Sequence, residues 1–513
     1  MNAKIRRKLE RRKKRILYRL HQARLRNLDK PVFAAANILY DVAGRARGLA
    51  HGGIGAFLLL ARRLGLVDAI DSRLHLLKIH LPYHESDHVL NLAFNALCEG
   101  SRLEHLELRR NDEVYLDALG AARIPDPTTA GDFCRRFAQA DIDTLQDIFD
   151  DTRIKAWSEQ PADFFGRAIL DMDGTLVATT GRCKKGMDIG YDGTWGYHPL
   201  VISLANTHEV MRIVNRPANR PSHEGCAREV DRSLEVCFRG GFRKALLRGD
   251  TDFSQTEHLD RWNADKRVQF LFGYDAKANL DEISEQLPEK AWKRLDRPAR
   301  AEPATGPRRR PDDVKDQVVR ARGFETLRLR SEQVAEFNYR PVACRETYRM
   351  IVVRKNISHE KGEERLYDEI RFFYTITNDW TSEPDELVFL ANDRCDQENL
   401  LAQLKGGCHA LSAPVNTLES NGAYMVMTAL GWNLKAWFAL SLPEAPGRWR
   451  EKHRAEKKKL LGMEFATFVQ ALVRLPCQLV RTGRRLVFRL LSWNAHQATL
   501  FRVLEALRRP LRC

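Results

Sequence analysis

Three acidic residues, far apart in the chain, occupy positions where carboxylates could converge. Asp173 ends the apolar, β-like run "RAILDMD", and Asp250 ends a second such run, "KALLRGD". A charge beside buried apolar residues is costly, so each acid is expected to have a partner. Glu398 lies in "NDRCDQENLLAQLKGG", whose pattern predicts a helix beside the sheet. Carboxylate oxygens of this kind suit Mg²⁺, and a pair of such ions could cut a phosphodiester.

The stretch "LDMDGTLV" permits a second chemistry, in which Asp171 reacts. Asp171 lies two residues before Asp173, so on a strand both acids point to the same face. The stretch resembles the nucleophile loop of haloacid-dehalogenase-type phosphatases, and "RGDTD" resembles the acidic magnesium motif of that family. In that interpretation Asp171 would be the nucleophile and Asp173 the general acid or base. It would leave the preceding chain and both basic ends without a role, and short motifs also match by chance.

The predicted helix around Glu398 carries two cations at helical spacing. Arg394, Glu398 and Lys405 fall within about 40° of one another and span ~16 Å if the helix is regular. Leu400, Leu401 and Leu404 would form the apolar stripe that packs on the sheet. Arg394 and Lys405 could then bind the phosphates of a phosphate backbone on either side of a metal-binding carboxylate. The plainer alternative is an i,i+4 salt bridge between Arg394 and Glu398.

The elements that must position these residues change type along the chain. Residues 55–150 have a mostly helical pattern, and from residue 166 the pattern is β-like. The order strand, strand, strand, helix (223–241), strand favours an antiparallel meander, whereas a dehalogenase-type phosphatase would interleave helices with parallel strands. Residues 295–313 are rich in Pro and Arg and predict a linker. Three β-like segments follow between 325 and 377, and the region from 415 onward is predicted to be mainly helical.

Charge and composition indicate a polyanionic partner. The 513 residues have a net charge of +16, and residues 1–30 hold thirteen Lys or Arg, mostly in a predicted helix over 1–28. A second basic region runs from Arg448 to Arg512. The ten cysteines include no C-x-x-C pair, which argues against a zinc ribbon and fits a reduced, cytoplasmic setting. Residues 422–442 are apolar, but charge interrupts them, so they predict a buried helix and no membrane partner.

Two helices near the N-terminus could contribute to DNA recognition. "SDHVLNLAFNALCEG" predicts a helix that begins after Ser86 as its N-cap. Pro127 then opens a short helix that would carry Arg135 and Arg136. The pair is similar to a helix-turn-helix, whose second helix presents its first turn to the major groove. A small helical bundle without DNA contacts shows the same pattern.

Four stretches in this order resemble the DDE class of bacterial insertion-sequence transposases, most closely the insertion sequence 1380 family. They are "LDMDGTLV", "GYHPL", "LLRGDTDF" and "RCDQENLLAQLKGG". The wider group has a Tyr-x2-Arg-x3-Glu-x6-Lys signature, and Arg394, Glu398 and Lys405 match its last three positions. Ala391 stands where the signature has Tyr, so this chain departs from the signature at its first position.

The resemblance implies a catalytic triad and a fold. Asp173, Asp250 and Glu398 would bind two Mg²⁺ ions, with Mn²⁺ as a substitute and Asp171 as a possible alternate ligand. The fold would be α/β, with an RNase H-like core (a mixed sheet with flanking helices) interrupted by a mostly β insertion domain and flanked by helical DNA-binding regions. The implied divisions run in chain order. Residues 1–160 would be a basic helical region that binds DNA ends, and residues 441–513 a basic helical C-terminal region. The core would comprise residues 161–280 and 379–440, with the insertion domain at residues 281–378.

The resemblance also implies an activity and partners. The chain would bind the terminal inverted repeats of an insertion sequence, cleave a strand and join the freed 3′ end to target DNA, by cut-and-paste or a related route. Its partners would be double-stranded DNA, both element ends and target, and a second copy of the chain in a homodimer on DNA. The location would be the bacterial cytoplasm, at the nucleoid when active. A catalytically inactive DNA-binding protein is the third possibility.

Overall fold

The computed structural model of this chain describes most of its length. The described residues are 2–24, 35, 38–42, 44, 46–297, 313–483 and 485–511. They divide into two compact units, each made of segments that are distant in sequence. The first unit comprises residues 1–164, 175–220 and 399–513, and the second comprises residues 165–174 and 221–398. The fold is mixed α/β with a large mixed sheet and many helices, which confirms that part of the predicted fold class.

The first unit is mainly helical. Its α-helices are Ala3–Arg24, Ile54–Arg63, Leu66–Arg73, Glu85–Leu97, Leu106–Arg110, Glu113–Leu119, Pro127–Cys134, Gln139–Trp157, Leu418–Leu440, Arg450–Leu461, Phe465–Phe468 and Gln497–Leu507. Its strands are Gly48–Leu49, Val177–Ala178, Asp188–Ile189, Trp195–Tyr197, Leu200–Leu204, Glu209–Val214, Cys477–Thr482 and Arg485–Leu490. Two strands of the predicted meander, Leu200–Leu204 and Glu209–Val214, pair antiparallel as expected. The predicted basic helix is confirmed over Ala3–Arg24, and residues 25–28 lie outside the described residues.

The second unit contains a seven-stranded mixed sheet. Along the sheet the strands are Lys293–Arg294, Glu325–Tyr339, Tyr348–Lys361, Glu364–Thr377, Val268–Tyr274, Lys244–Gly249 and Arg167–Gly174. Its α-helices are Cys226–Arg239, Thr256–Ala264, Ala278–Glu285, Val314–Ala321 and Pro384–Asn392. The three β-like segments predicted between 325 and 377 are therefore confirmed. Most of the predicted linker, residues 298–312, lies outside the described residues.

Three neighbouring strands of this sheet run parallel, and we name them the first, second and third core strands. They are Arg167–Gly174, Lys244–Gly249 and Val268–Tyr274. Parallel strands are covered on both faces, which is why these segments are nearly continuous apolar runs. Leu246 and Leu271 belong to the hydrophobic cluster of this unit. The first strand of the predicted meander therefore pairs in parallel with the strand that follows the helix Cys226–Arg239.

Residues 418–440 form the helix that the sequence predicted as buried. Nearly all its side chains are inaccessible to solvent, including Asn433 and Lys435. The Lys435 ammonium donates to the Leu461 carbonyl at 2.8 Å, and burial lowers the pKa of Lys435 to about 7. Within the described residues, no helix is long and apolar enough to cross a membrane.

The region from 415 onward is mainly helical, as predicted, and it also contains an antiparallel hairpin, Cys477–Thr482 with Arg485–Leu490. Two local predictions were wrong. Ser86 is inside its helix, because the helix begins at Glu85 with His84 as N-cap and the Asp87 carboxylate accepts the His84 amide proton at 2.9 Å. The helix that starts at Cys395 does not stay regular to Lys405, because Gln403–Gly407 is a π-helical turn.

Candidate active site

The carboxyl ends of the three core strands lie at one edge of the sheet, and each carries an aspartate. Asp171 on the first core strand pairs in register with Arg248 on the second, so Asp173 and Asp250 lie at the same level two residues further on. Asp250 follows directly after the second core strand, and Asp275 follows directly after the third. Because ligands of α/β sheets bind beyond the carboxyl ends of the strands, this edge is the expected place for chemistry.

Arg394 connects the first two of these acids. The residue precedes the helix Cys395–Ala402, and its guanidinium reaches both carboxylates. Its Nη1 lies 3.4 Å from Asp173 Oδ2, and its Nη2 lies 3.6 Å from Asp250 Oδ2. The side chains of Arg394 and Asp173 are only 18% and 16% exposed, so solvent screens this contact less than a surface ion pair. Two predicted site carboxylates therefore share one cation.

The pKa values of Asp173 and Asp250 are both raised, in part by repulsion from neighbouring carboxylates. Burial raises the pKa of Asp173 to about 6, the Arg394 guanidinium opposes this shift, and the Asp250 and Glu398 carboxylates add to it. The pKa of Asp250 is also raised, chiefly by burial, with Arg394 opposing and Asp252 and Asp275 adding to the shift. A site where several carboxylates repel one another favours a bound cation.

Glu398 comes to this edge on the first turn of the helix Cys395–Ala402. The side chain is exposed, and its charge is felt at Asp173. No direct contact places it against Asp173 or Asp250. Within the described part of the chain, no group of three or more His, Cys, Asp or Glu side chains is closed around a point that could hold a metal ion. The donor set nevertheless fits a hard divalent ion in its chemistry, since Asp173 and Asp250 already converge on one cation and Glu398 adds a third oxygen ligand.

Asp171 is held in a different environment from Asp173. It is 1% exposed, and both its oxygens accept hydrogen bonds from Arg248, at 2.6 Å from Nε and 2.6 Å from Nη2. The third guanidinium nitrogen of Arg248 donates to the Leu390 carbonyl at 2.8 Å. Burial raises the pKa of Asp171, while Arg248 acts to lower it. Asp171 thus forms a buried bidentate ion pair that fills both of its oxygens.

Ala391 takes the place of the signature tyrosine. Its side chain packs against the hydrophobic cluster of the second unit, beside Phe389 and Leu390. Its carbonyl accepts the Arg394 amide proton at 3.3 Å. The residue therefore contributes to the site through its backbone, by fixing the turn from which Arg394 projects.

The other predicted DNA-binding residues belong to the first unit. Lys405 lies in the π-helical turn, so the regular helical face predicted for it with Arg394 and Glu398 does not apply. Arg135 is the C-cap of Pro127–Cys134, where it pairs with Asp132 at 2.5 Å and with Asn416 at 2.9 Å. Arg136 lies beyond the helix end and approaches the Leu76 carbonyl. The prediction that the helix itself carries the two arginines was wrong, and the DNA contacts of all three residues stay predictions.

Sequence reasoning missed two residues of this edge, Arg248 and Asp275. Arg248 interrupts the apolar run of the second core strand, and a buried Arg signals a carboxylate partner in the neighbouring strand. Asp275 follows "VQFLFGY" in the same way that Asp250 follows "KALLRG". Because an acid directly follows each of these apolar runs, the same pattern that identified Asp250 could have identified Asp275.

The backbone of Asp250 and Thr251 packs directly against Gly273 on the third core strand, where a side chain would not fit. A Cβ on Gly273 would lie 2.9 Å from the Thr251 amide nitrogen and 3.1 Å from the Asp250 carbonyl carbon. We expect Gly273→Val to move Asp250 and to lower the activity of this site by about 100-fold, since a shift of ~1 Å can have that effect. Gly48→Val is the matched control, because a Cβ on this strand glycine meets no atom within 4 Å. Equal activities of the two variants would contradict the role of Gly273.

The raised pKa of Asp173 predicts a pH dependence of stability. The folded protein binds the Asp173 proton more tightly than the unfolded chain, whose Asp pKa is about 3.9. The free energy of unfolding should therefore fall as the pH rises from about 4 to about 6. Asp173→Asn cannot ionise and should be more stable than the parent at pH 8, by on the order of 2 kcal/mol. Urea unfolding in EDTA at pH 4.5 and pH 8 measures this, and parallel profiles for the two proteins would contradict it.

The strand-end acids, with Arg394 between them, define a carboxylate site of the kind used for phosphate chemistry. The chain belongs to the family described as transposase DDE domain group 1, which matches residues 34–511. It is thus a transposase of the DDE class, whose domains generally use divalent metal ions. The chain is also similar to a solved structure of the piggyBac transposase synaptic complex with hairpin DNA, with 11% identity over 83% of this chain and 82% of that one and a TM-score of 0.35. No curated protein matches the chain.

Proposed function

We propose that this transposase binds the terminal inverted repeats of an insertion sequence and catalyses metal-dependent strand cleavage and strand transfer, by cut-and-paste or a related route. The observation that carries the proposal is the convergence of Asp173 and Asp250 on one cation at the carboxyl ends of adjacent parallel strands. Glu398, whose charge reaches Asp173, completes the proposed triad. Family membership over residues 34–511 supports the reaction class.

The proposal includes a division of labour among residues. Asp173, Asp250 and Glu398 would bind two Mg²⁺ ions, with Mn²⁺ as a substitute, and bound divalent ions would activate water and stabilise the leaving oxygen of a phosphodiester. Asp173 must lose its proton to bind a cation, so its raised pKa should weaken activity below about pH 6. Arg394 and Lys405 would hold DNA phosphates near the scissile bond.

The buried ion pair supports Asp173 as the first member of the triad. Both oxygens of Asp171 are already bound by Arg248, whereas Asp173 faces Arg394 and retains some solvent exposure. The same observation counts against a phosphohydrolase with Asp171 as nucleophile, because that oxygen would have to leave a buried guanidinium before attacking. Asp171 is therefore proposed to position the second core strand.

The finer fold and the partners are part of the same proposal. An RNase H-like core is proposed over 161–280 and 379–440, interrupted by the insertion domain 281–378. Residues 1–160 and 441–513 would bind DNA, with Arg135 and Arg136 among the contacts. The proposed assembly is a homodimer on double-stranded DNA, and the proposed origin is a bacterial element of the insertion sequence 1380 family. Conspicuously basic ends, with thirteen Lys or Arg in residues 1–30, support these DNA-binding regions.

The central experiment is cleavage of DNA that carries the inverted repeats flanking the gene. Labelled DNA should be cut at the repeat ends in Mg²⁺ or Mn²⁺ and left intact in EDTA, with a free 3′-hydroxyl on the product. Shuffled repeats are the matched DNA control. Specific binding without any cut under these conditions would favour the catalytically inactive alternative, and phosphomonoester hydrolysis that is lost in Asp171→Asn would favour the phosphohydrolase.

Arg394 offers a test that does not depend on catalysis. Because its guanidinium lies between Asp173 and Asp250, we expect it to compete with a divalent ion for these carboxylates. In the absence of DNA, Arg394→Ala should bind Mn²⁺ about fivefold more tightly, the equivalent of about 1 kcal/mol for one ion pair. Arg394→Lys keeps the charge and is the control. Calorimetric titration with Mn²⁺ measures both, and weaker binding by Arg394→Ala than by the parent would contradict the competition.

A further inference from the structure

A concave surface in the first unit is separate from the residues of the candidate active site. We name it the amino-terminal cleft, and its volume is about 590 Å³. One wall is the helix Ala3–Arg24, and the facing wall comes from the helix Arg450–Leu461 and the segment before Gln497–Leu507. The lining residues that matter for its chemistry are Arg6, Lys13, Trp449, Lys452 and Trp493.

The cleft contains cations without acidic partners. Arg6 and Lys13 lie on one stripe of their helix, seven residues apart, and Lys452 faces them. Among the described residues, no carboxylate lies within ion-pairing distance of these three side chains, and Glu10 is the one acid of the lining. Arg502, by contrast, is paired with Glu456 at 2.5 Å. A concave surface lined by these three cations and one acid attracts a polyanion.

The cleft also presents an indole to solvent. Trp449 is 46% exposed, and the Arg448 guanidinium and the Lys452 ammonium lie 5.2 Å and 5.5 Å from its ring centroid. Trp493 lines the same space and is half-buried. Aromatic faces flanked by cations are the means by which proteins bind unpaired nucleotides, with the base stacked on the ring and the phosphates on the cations.

The two walls of the cleft are joined by hydrogen bonds from one half-buried arginine. Arg12 Nη1 donates to the Leu490 carbonyl at 2.8 Å and to the Ser492 carbonyl at 3.0 Å. This contact fixes the basic helix beside the segment that carries Trp493. A cleft with fixed walls loses less conformational freedom when it binds a ligand, which favours a specific site.

We propose that the amino-terminal cleft binds an unpaired nucleotide of a DNA strand, with its base stacked on Trp449 and its phosphates bound by Arg6, Lys13 and Lys452. The choice of DNA rests on the proposed function and extends it to a second, non-catalytic site. A base in intact duplex is stacked between its neighbours and cannot offer its face to an indole. An acidic peptide would use the cations and leave Trp449 without a partner, so the exposed indole favours the nucleotide.

The test uses the full chain in EDTA and labelled oligothymidylate of about twelve nucleotides, with fluorescence anisotropy as the readout. We expect Trp449→Ala to weaken binding about tenfold and Trp449→Phe to retain most of it, because stacking needs only an aromatic face. Trp380→Ala is the matched control, since Trp380 is 53% exposed and lies in the second unit. Thermal unfolding of each variant shows whether it is folded. If Trp449→Ala is not folded, Trp449→Leu takes its place, because leucine keeps apolar volume without an aromatic face and should also weaken binding about tenfold.

The contribution of charge is tested on the basic helix itself. Lys13→Glu should weaken oligothymidylate binding and lower the slope of log affinity against log salt by about one. Lys8→Glu makes the same charge change on the same helix, at an exposed position outside the cleft lining, and should have a smaller effect. Equal effects of the two variants would overturn the cleft as the site of binding.

Two further outcomes would overturn the proposal. One is unchanged oligothymidylate binding by Trp449→Ala and Trp449→Phe, and the other is equal competition by polyglutamate of the same length, which would indicate an acidic peptide. The assay contains no divalent ion and no inverted repeat, so it is independent of the proposed cleavage. If cleavage fails while Trp449-dependent binding persists, the proposed function alone is wrong. If cleavage succeeds without that binding, the cleft proposal alone is wrong.

Discussion

Asp173→Asn should abolish DNA strand cleavage, with a rate at least about 1000-fold below that of the parent. Metal ions contribute several kcal/mol of charge stabilisation in such reactions, and ~4 kcal/mol corresponds to about this factor. Asp173 is one of the two carboxylates that already share a cation, so its loss should remove an ion ligand while leaving the sheet intact. The variant should fold, and it should be more stable than the parent at pH 8.

The measurement is single-turnover cleavage of DNA that carries the inverted repeats. Asp252→Asn is the matched control, because Asp252 lies in the same loop as Asp250, is exposed and does not contact Arg394 in the described structure. This control should retain most of the rate. A fast Asp173→Asn enzyme, or a control that is equally inactive, would remove Asp173 from its proposed role.

Arg248→Met should have the largest effect on stability. Removal of the guanidinium leaves the Asp171 carboxylate buried without its partner, and breaking such a pair costs about 3–5 kcal/mol. The double variant Asp171→Val/Arg248→Met should recover much of this loss, since replacing a whole buried pair by apolar side chains is often neutral. Urea unfolding of the parent, both single variants and the double variant gives the coupling free energy of the pair.

The double variant also decides between the two acids of "LDMDG". If Asp171 acts only as the partner of Arg248, the double variant, with its stability restored, should still cut DNA. Wild-type stability without cleavage in the double variant, together with active Asp173→Asn, would assign the reacting acid to Asp171. Stability and activity are measured separately here, so neither result can be mistaken for unfolding.

The sequence predicted the convergence of Asp173 and Asp250 better than it predicted the elements around them. Apolar runs that end in an acid identified Asp173 and Asp250, because the periodicity and the break in it are both local. The partnership of Asp171 with Arg248 depends on parallel pairing between strands about 77 positions apart, which no local pattern specifies. The sequence therefore predicted that Asp171 and Asp173 point to one face of the strand, but it could not say which of them was already paired.

Long-range and cooperative features account for the other differences. The hairpin Cys477–Thr482 with Arg485–Leu490 lies in a basic segment whose charges mask its alternation of buried and exposed residues. The π-helical turn at Gln403–Gly407 breaks a spacing that assumed 100° per residue. Glu85, and not Ser86, begins its helix because the Asp87 side chain caps the His84 amide. In each case tertiary or capping contacts outweighed the local pattern.

The most direct test of the shared metal site is cleavage of the protein itself by bound iron. Fe²⁺ with ascorbate and peroxide produces radicals that cut the polypeptide beside the ion, and Mg²⁺ in excess should protect it. We predict cuts near residues 173, 250 and 398, all lost in Asp173→Asn. Cuts at a single one of these positions, or at positions elsewhere that Mg²⁺ does not suppress, would contradict the convergence of the three acids on one metal site.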